Sequence, residues 1–149
     1  MKEKFPLKKF PLRIIKNKDN KCKAVTSIDK INDKDRNIQQ ELSYIESDYE
    51  ILICAAKRLL SGIEENPKKK TDPRLYWLIG ENINGFIKRI DALGFYLLKQ
   101  NKTLADDIGL SESSTGKIIS FRKRLPDIST VDPKTAWSKY RDNKIKPAG

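Results

Sequence analysis

Histidine is absent from this chain of 149 residues, and only two residues are cysteine. Without histidine there is no serine–histidine or cysteine–histidine nucleophile, and the most common general base of enzymes is missing. Cys22 and Cys54 have no paired spacing, so we expect two reduced thiols, with Cys54 buried in a helix. The sequence predicts no catalytic residue, metal ligand or cofactor, and no enzymatic activity of the chain by itself. A catalytic partner acting in trans stays open.

Long hydrophobic runs are also missing. No apolar segment approaches the roughly 20 residues that span a bilayer. The N-terminal sequence MKEKFPLKKFPLRII is basic, but Pro6 and Pro11 interrupt it, and it lacks the continuous apolar stretch of a signal peptide. These absences predict a cytoplasmic protein without a membrane partner. Hydrophobic residues make up 38% of the chain, which is enough for one modest core.

Acidic residues are outnumbered, because 31 Lys and Arg stand against 20 Asp and Glu, a formal net charge of +11. Such an excess favours a polyanionic partner, since each neutralised phosphate releases counterions. A general lysine bias, as an AT-rich genome produces, is the alternative explanation. Residues 1–36 hold 12 basic and 5 acidic residues, a net of +7, so most of the excess lies near the N-terminus.

Residues 1–34 predict an extended or disordered basic arm. They contain the sequence KFPL twice, at 4–7 and at 9–12, and they show no helical periodicity. Such an arm would lie along a nucleic-acid groove, or it would remain a solvated tail. No segment of the chain alternates long enough between apolar and polar residues to predict a strand.

Two long amphipathic helices are predicted after this arm. Apolar residues recur at spacings of three and four from 38 to 63 and again from 75 to 90. Gly80 and Gly85 are unfavourable inside a helix, which predicts that they allow close packing. The apolar segment 92–100 is expected to continue the second helix after a bend. The pattern predicts an all-α fold, a helical bundle.

The clearest motif lies at about 103–125. Thr103 with Asp106 fits a capping box that begins a short helix, and Gly109 ends this helix in a left-handed turn. Ser111 caps a second helix that runs to the end of the segment. A short helix, a glycine turn and a second helix form the helix-turn-helix that presents a recognition helix to the major groove.

The register of this motif can be assigned from its small and apolar residues. Ala105 occupies the crossing point of the two helices, four residues before the turn glycine. Thr115 stands where Ile or Val is usual, and Gly116 weakens the second helix by about 1 kcal/mol relative to alanine. The positions predicted to be buried are Leu104, Ile108, Leu110, Ile118 and Phe121.

The exposed side of the second helix is predicted to bind DNA. Short hydroxyls and one lysine near its start suit base-edge and phosphate contacts. The three basic residues at its end are predicted to hold backbone phosphates, or else to complement the helix dipole. A helical pair that serves packing alone is the alternative. The predicted DNA-binding residues are Ser111, Ser113, Ser114, Lys117, Arg122, Lys123 and Arg124.

Two features follow the second helix. Asp127 and Asp132 resemble the paired carboxylates of a nuclease signature, but a gap of five residues is too short for two strands to place both on one metal. Trp137 and Tyr140 form an aromatic pair at helical spacing. Stacking on a base is one role for this pair, and docking that closes the helical core is the preferred one.

Three segments supply a family resemblance. They are LYWLIGENI (75–83), LADDIGLSESSTGKIISFRKRLPD (104–127) and WSKYRD (137–142). Their order resembles the N-terminal helical domain of the YhcG-like PD-(D/E)XK nuclease family, with Arg122 where the family has an aromatic residue and a second helix rich in Ser and Thr rather than Arg and Asn. In that family a nuclease domain follows, whereas this chain ends at Gly149. The resemblance implies the recognition half of a nuclease or defence-type system, with cleavage supplied by a partner.

Together these patterns predict a basic flexible arm at 1–34 and a helical DNA-binding domain at 35–149. The expected function is binding of double-stranded DNA through the helix-turn-helix and the arm. The expected partners are duplex DNA and either a nuclease subunit or a second copy of the chain. The alternative is a protein-interaction or RNA-binding accessory subunit of a nucleoprotein assembly.

Overall fold

The structure is a computed structural model, and it describes residues 9–26, 36–64 and 72–143. Helices account for 64% of this part of the chain, and a three-stranded sheet accompanies them. The predicted all-α fold class is therefore wrong, although the protein is mostly helical. Among the described helices, none combines the length and the apolar composition that crossing a membrane requires.

The elements follow one another in a mixed order. In sequence they are β1 (Phe10–Lys16), β2 (Cys22–Thr26), α1 (Ile38–Glu64), α2 (Arg74–Ala92), β3 (Phe95–Leu97), α3 (Gln100–Ile108), α4 (Glu112–Arg124), a 3-10 turn (Ile128–Thr130) and α5 (Trp137–Arg141). The chain divides into two compact units. The first unit comprises Met1–Glu50 and Phe86–Leu98, and the second comprises Ile51–Gly85 and Lys99–Gly149.

The sheet of the first unit has the strand order β2-β1-β3. β1 is antiparallel to β2 and parallel to β3, with Arg13 opposite Val25 and Phe10 opposite Phe95. In the hairpin turn, the side-chain oxygen of Asn17 accepts hydrogen bonds from the backbone N–H groups of Asp19 and Lys21, each 2.9 Å long. Residues 10–26 are thus a paired hairpin rather than an extended or disordered arm. Residues 1–8 and 27–34 of the predicted arm lie outside the described residues.

Two physical reasons explain this correction. Pro11 suggested a break, but the ladder with β2 begins one residue later, at Leu12, so the proline removes no hydrogen bond from it. The second partner of β1 is β3, which lies far along the chain. The segment 92–100 was predicted to be helical, but Gly94 adopts a φ of +88° and Phe95–Leu97 pairs with β1.

The core of the first unit joins the sheet to the first half of α1 and the last part of α2. Tyr49 meets Phe86 edge to face at 5.3 Å between ring centroids. The Arg36 side chain also donates a 2.7 Å hydrogen bond to the Leu93 carbonyl within this unit. The buried apolar residues of this unit are Leu12, Ala24, Ile38, Leu42, Ile45, Tyr49, Phe86, Ile90, Phe95 and Leu97.

The second unit contains the later part of α1, most of α2, and the elements α3 to α5. The two long helices that periodicity predicted are confirmed as α1 and α2. α2 begins just after Asp72, whose carboxylate accepts a 3.0 Å hydrogen bond from the Arg74 backbone N–H. Cys54 is exposed, so its predicted burial is wrong.

Gly80 sets the distance between α2 and α4. A Cβ atom on Gly80 would lie 2.8 Å from Cβ of Arg122 and 3.0 Å from the Ile118 carbonyl oxygen. Only glycine permits this approach without movement of the α4 backbone. The prediction that Gly80 allows close packing is confirmed.

Candidate nucleic-acid interface

Helices α3 and α4 are joined by a turn of three residues, Gly109, Leu110 and Ser111. Gly109 has a φ of +97°, and its N–H donates to the Ala105 carbonyl at 2.8 Å. A left-handed residue of this kind ends a helix at low cost only when it is glycine. The hydroxyl of Ser111 accepts a 3.0 Å hydrogen bond from the Ser114 N–H and caps α4. The predicted turn and the predicted N-cap are both confirmed.

The start of α3 differs from the prediction. The helix begins at Gln100, preceded by Lys99 in a left-handed conformation without a side-chain cap. The Thr103 N–H donates to the Lys99 carbonyl at 2.9 Å, so Thr103 already lies inside the helix. Asp106 instead faces Lys102, with 3.4 Å between their charged atoms. The capping box was therefore wrong, because the turn after β3 begins the helix earlier than any local cap indicates.

The inner side of the pair matches the assigned register. Buried side chains come from both helices, and Leu110 in the turn is half-buried. The hydroxyl of Thr115 is fully buried and donates to the Ser111 carbonyl at 3.0 Å, which satisfies it without a partner outside the motif. The buried residues are Leu104, Ala105 and Ile108 in α3 and Thr115, Ile118, Ile119 and Phe121 in α4.

The outer side of α4 carries short side chains and lysines. Ser113, Lys117 and Ser120 are exposed and recur at spacings of four and three, so they share one face. Ser111 and Lys123 are also exposed, and Ser114 is half-buried. Five of the seven predicted DNA-binding residues therefore lie at the turn or on the accessible part of α4.

Lys117 has an acidic neighbour at the C-terminal end of the described chain. Its ammonium nitrogen lies 4.0 Å from a carboxylate oxygen of Asp142. The same carboxylate accepts hydrogen bonds of 3.0 and 3.2 Å from Arg141. This hydrogen bonding to Asp142 raises the pKa of the Arg141 guanidinium above its ordinary value. One acidic side chain thus lies between two cations beside the outer face of α4.

The other two predicted residues make internal contacts. The Arg122 side chain is only 14% exposed, and its Nε donates to Glu81 at 2.6 Å. Its guanidinium carbon also lies 5.1 Å from the ring centroid of Trp77. Arg124 donates a 2.7 Å hydrogen bond to the Tyr140 carbonyl. These two arginines hold α4 against α2 and α5, while Lys123 between them projects outward.

An aromatic cluster supports the C-terminal end of α4. The Trp137 ring stacks on Tyr76 at 4.2 Å and meets Phe121 edge to face at 5.0 Å. The preferred explanation, that Trp137 docks on the core, is confirmed. The cluster is formed by buried Trp77, Phe121, Leu125, Val131 and Tyr140, with Tyr76, Leu78, Ile128 and Trp137 packed against it.

The two carboxylates that resembled a nuclease signature have local structural roles. Asp127 accepts 2.9 Å hydrogen bonds from the backbone N–H and the hydroxyl of Ser129. Asp132 accepts from the Lys134 N–H at 2.9 Å and from the Thr135 hydroxyl at 3.0 Å. Each carboxylate therefore caps its own turn.

The sequence placed the N-terminal basic charge on a flexible arm, and it was not foreseen that part of this charge lies on the sheet of the first unit. Arg13, Lys18 and Lys21 are exposed along the hairpin, and Ile15 and Tyr96 are exposed large apolar side chains. The alternation of Leu12 and Ile14 with Arg13 and Ile15 was the available signal in the sequence. It was too short to recognise beside a proline, and Tyr96 becomes its neighbour only through the parallel pairing of β3.

No group of three or more Cys, Asp or Glu side chains that could hold a metal ion occurs among the described residues. Two surfaces of the protein are candidates for binding a polyanion. They are the outer side of α4 and the basic hairpin of β1 and β2. Set against known proteins, the chain matches no protein family, no curated protein and no solved structure.

Proposed function

We propose that the protein binds double-stranded DNA, with α3 and α4 as a helix-turn-helix and α4 in the major groove. The outer face of α4 carries this proposal. Ser113, Lys117 and Ser120 form a narrow row on that face. An α-helix fits the major groove, and short side chains let its backbone approach the base edges closely.

The chemistry of this row suits readout of bases. A serine hydroxyl both donates and accepts, so it contacts either type of groove edge. The ammonium of Lys117 would bind guanine acceptors or a phosphate. Ser114, which is half-buried, and Ser111, which caps the helix, would support the first turn against the DNA.

The three basic residues at the end of α4 have different roles under this proposal. Lys123 is exposed and forms no ion pair within the described residues, so it is the candidate for a phosphate contact. Arg122 and Arg124 already donate to Glu81 and Tyr140. Their main contribution would be to fix the angle of α4, and with it the position of the recognition row.

The experiment is a set of single lysine replacements measured by fluorescence anisotropy on labelled random-sequence duplexes of about 20 base pairs. Lys117→Ala and Lys123→Ala should each weaken binding about fivefold. Lys57→Ala is the matched control, because Lys57 is an exposed lysine of the same unit on α1. Equal losses in all three variants would mean that overall charge, and not α4, binds the duplex.

The resemblance to the YhcG-like nuclease family extends this proposal. On that basis residues 1–149 would act as the recognition half of a nuclease or defence-type system, with the catalytic residues supplied from outside them. The purified chain should then bind duplex DNA without cutting it when Mg²⁺ is added. Cleavage by the chain alone, lost in a variant of Asp127 or Asp132, would contradict this division of labour.

A further inference from the structure

The sheet of the first unit has two unlike faces. Its inner face is buried, with Leu12 and Phe95 both at 0% exposure. The alternate positions point the other way, where Ile15 and Tyr96 are 45% and 44% exposed. Pro11 lies opposite Tyr96 on β3, so the outward residues of neighbouring strands share one surface. We name this surface the outward sheet face and define it by Pro11, Arg13, Ile15, Val25 and Tyr96.

A cleft opens on this face. Its volume is about 300 Å³, and Pro11, Arg13, Val25, Thr26 and Leu98 line it. This volume is at the lower end of the range for cavities that hold small molecules. Arg13 supplies a guanidinium at its wall, and the rest of the lining is mainly apolar. A partly apolar group with an adjacent negative charge would fit such a lining.

Basic side chains strongly outnumber acidic side chains on the hairpin. Residues 9–26 contain six basic side chains and one acidic side chain. Two of the lysines are neutralised, since Lys9 pairs with Asp91 and Lys23 lies 3.8 Å from Glu46. The remaining exposed cations include Arg13, Lys18 and Lys21, none of which forms an ion pair among the described residues. The hairpin therefore offers positive charge to a partner from outside.

We propose that the outward sheet face is a second nucleic-acid surface, and that it takes a single strand of DNA or RNA. The ring of Tyr96 would stack on one base, and Arg13 and then the turn lysines would hold the phosphates that follow this base along the hairpin. Stacking selects a single strand, because paired bases in a duplex have no free face. An acidic protein would use the same cations, whereas a row of cations beside an exposed ring matches the alternation of phosphates and bases in a single strand. This surface is independent of the helix-turn-helix.

The test measures binding of the full chain to labelled oligonucleotides of about 12 nucleotides. Oligo-dT and oligo-U serve as the two single strands, and a blunt duplex serves as the comparison. Tyr96→Ala should weaken single-strand binding at least fivefold, because stacking of one base is lost. Tyr96→Phe should retain most of it, since the ring remains.

Matched controls come from the same unit. Tyr44 is also exposed, at 53%, but lies on α1, so Tyr44→Ala should leave single-strand binding unchanged. Arg13→Ala should weaken it, whereas Lys88→Ala, an exposed lysine on α2, should not. Arg13→Ala keeps the test decisive if Tyr96→Ala does not fold.

Several outcomes would overturn the proposal. One is single-strand binding that is equally strong with and without the Tyr96 ring. Another is a Tyr96→Phe variant as weak as Tyr96→Ala. A third is competition by polyglutamate as effective as competition by unlabelled oligonucleotide, because charge alone would then explain the affinity. Lys117→Ala should reduce only duplex binding, so failure of this proposal and failure of the helix-turn-helix proposal are separately visible.

Discussion

The indole nitrogen of Trp77 donates a 2.6 Å hydrogen bond to the carbonyl oxygen of Leu125, the residue that follows α4. This buried bond links the first turn of α2 to the end of the proposed recognition helix. Arg122 lies over the same indole ring, so two residues of the α4 end depend on one side chain of α2. The orientation of α4 is therefore set by a polar contact as well as by apolar packing.

Replacing this indole should cost stability chiefly through the lost hydrogen bond. Trp77→Phe keeps an aromatic ring but leaves the Leu125 carbonyl without its donor, and we expect a loss of about 1–3 kcal/mol in the free energy of unfolding. Trp137→Phe is the control, because Trp137 packs by stacking and retains most of that contact as phenylalanine. Urea denaturation followed by circular dichroism gives both values. A larger loss in Trp137→Phe would contradict the importance of the Trp77 hydrogen bond.

A pair of glycine replacements tests the contact between α2 and α4. Gly80→Ala places a Cβ atom 2.8 Å from Cβ of Arg122, and the shift it forces should destabilise the protein by about 1–3 kcal/mol. Gly62→Ala on α1 meets no atom within 4 Å, so helix propensity alone should stabilise the protein by about 0.5–1 kcal/mol. Thermal melting of both variants should show shifts of opposite sign. Stabilisation by Gly80→Ala would mean that the helices separate without cost.

The free energy of unfolding should depend on pH mainly in the acid range. A side-chain hydrogen bond from Arg74 lowers the pKa of Asp72, and the backbone N–H of Ser129 lowers the pKa of Asp127. A carboxyl whose pKa is lower in the folded state adds stability above its unfolded pKa of about 3.9, and this stability is lost as pH falls through the folded pKa. Because the chain has no histidine, no side chain has an ordinary pKa between about 5 and 8.

The melting temperature should therefore be nearly constant from about pH 5.5 to about pH 7.5 and should fall below about pH 4.5. Asp72→Asn is the matched variant, because asparagine also caps a helix well but does not titrate. Its melting temperature should decline less steeply in acid. A transition near pH 6 in the unmodified chain would contradict the assignment of the acid loss to these carboxyls.

Periodicity and caps made the helical part of the fold predictable. The stripe of apolar residues from 38 to 63 defines α1, and Gly109 with Ser111 defines the turn between α3 and α4. The same stripe also indicates that the Cys54 side chain is exposed. Leu52 and Ala56 lie on the buried side, whereas a residue two positions after Leu52 points almost to the opposite side. The error came from assigning burial by residue type instead of by register.

Two features could not be predicted from local sequence. They are the sheet and the different contacts made by the three basic residues at the end of α4. β3 is only three residues long and gains its strand conformation from pairing with β1, whose sequence position is remote. Arg122, Lys123 and Arg124 are adjacent and alike in charge, yet Glu81 and the Tyr140 carbonyl engage only the first and the third. Both outcomes depend on tertiary neighbours that no pattern within the segment encodes.

The acidic neighbour of Lys117 leads to the last prediction. Asp142 lies 4.0 Å from the Lys117 ammonium. Under the proposed function it would compete with a DNA phosphate or base for the same cation. Asp142→Asn removes this competition and keeps the size of the side chain. We expect duplex affinity at about 50 mM salt to rise roughly two- to fivefold, as one exposed ion pair is worth about 0.2–1 kcal/mol.

The control for this variant removes the same charge elsewhere. Asp91 pairs with Lys9 in the first unit, so Asp91→Asn changes the net charge equally without touching α4. If release of Lys117 is the cause, Asp142→Asn should gain more than Asp91→Asn, and the additional Lys117→Ala replacement should abolish the difference. Equal gains in the two asparagine variants would attribute the effect to net charge. The gain should shrink toward about 200 mM salt in either case, because screening weakens both the ion pair and the phosphate contact.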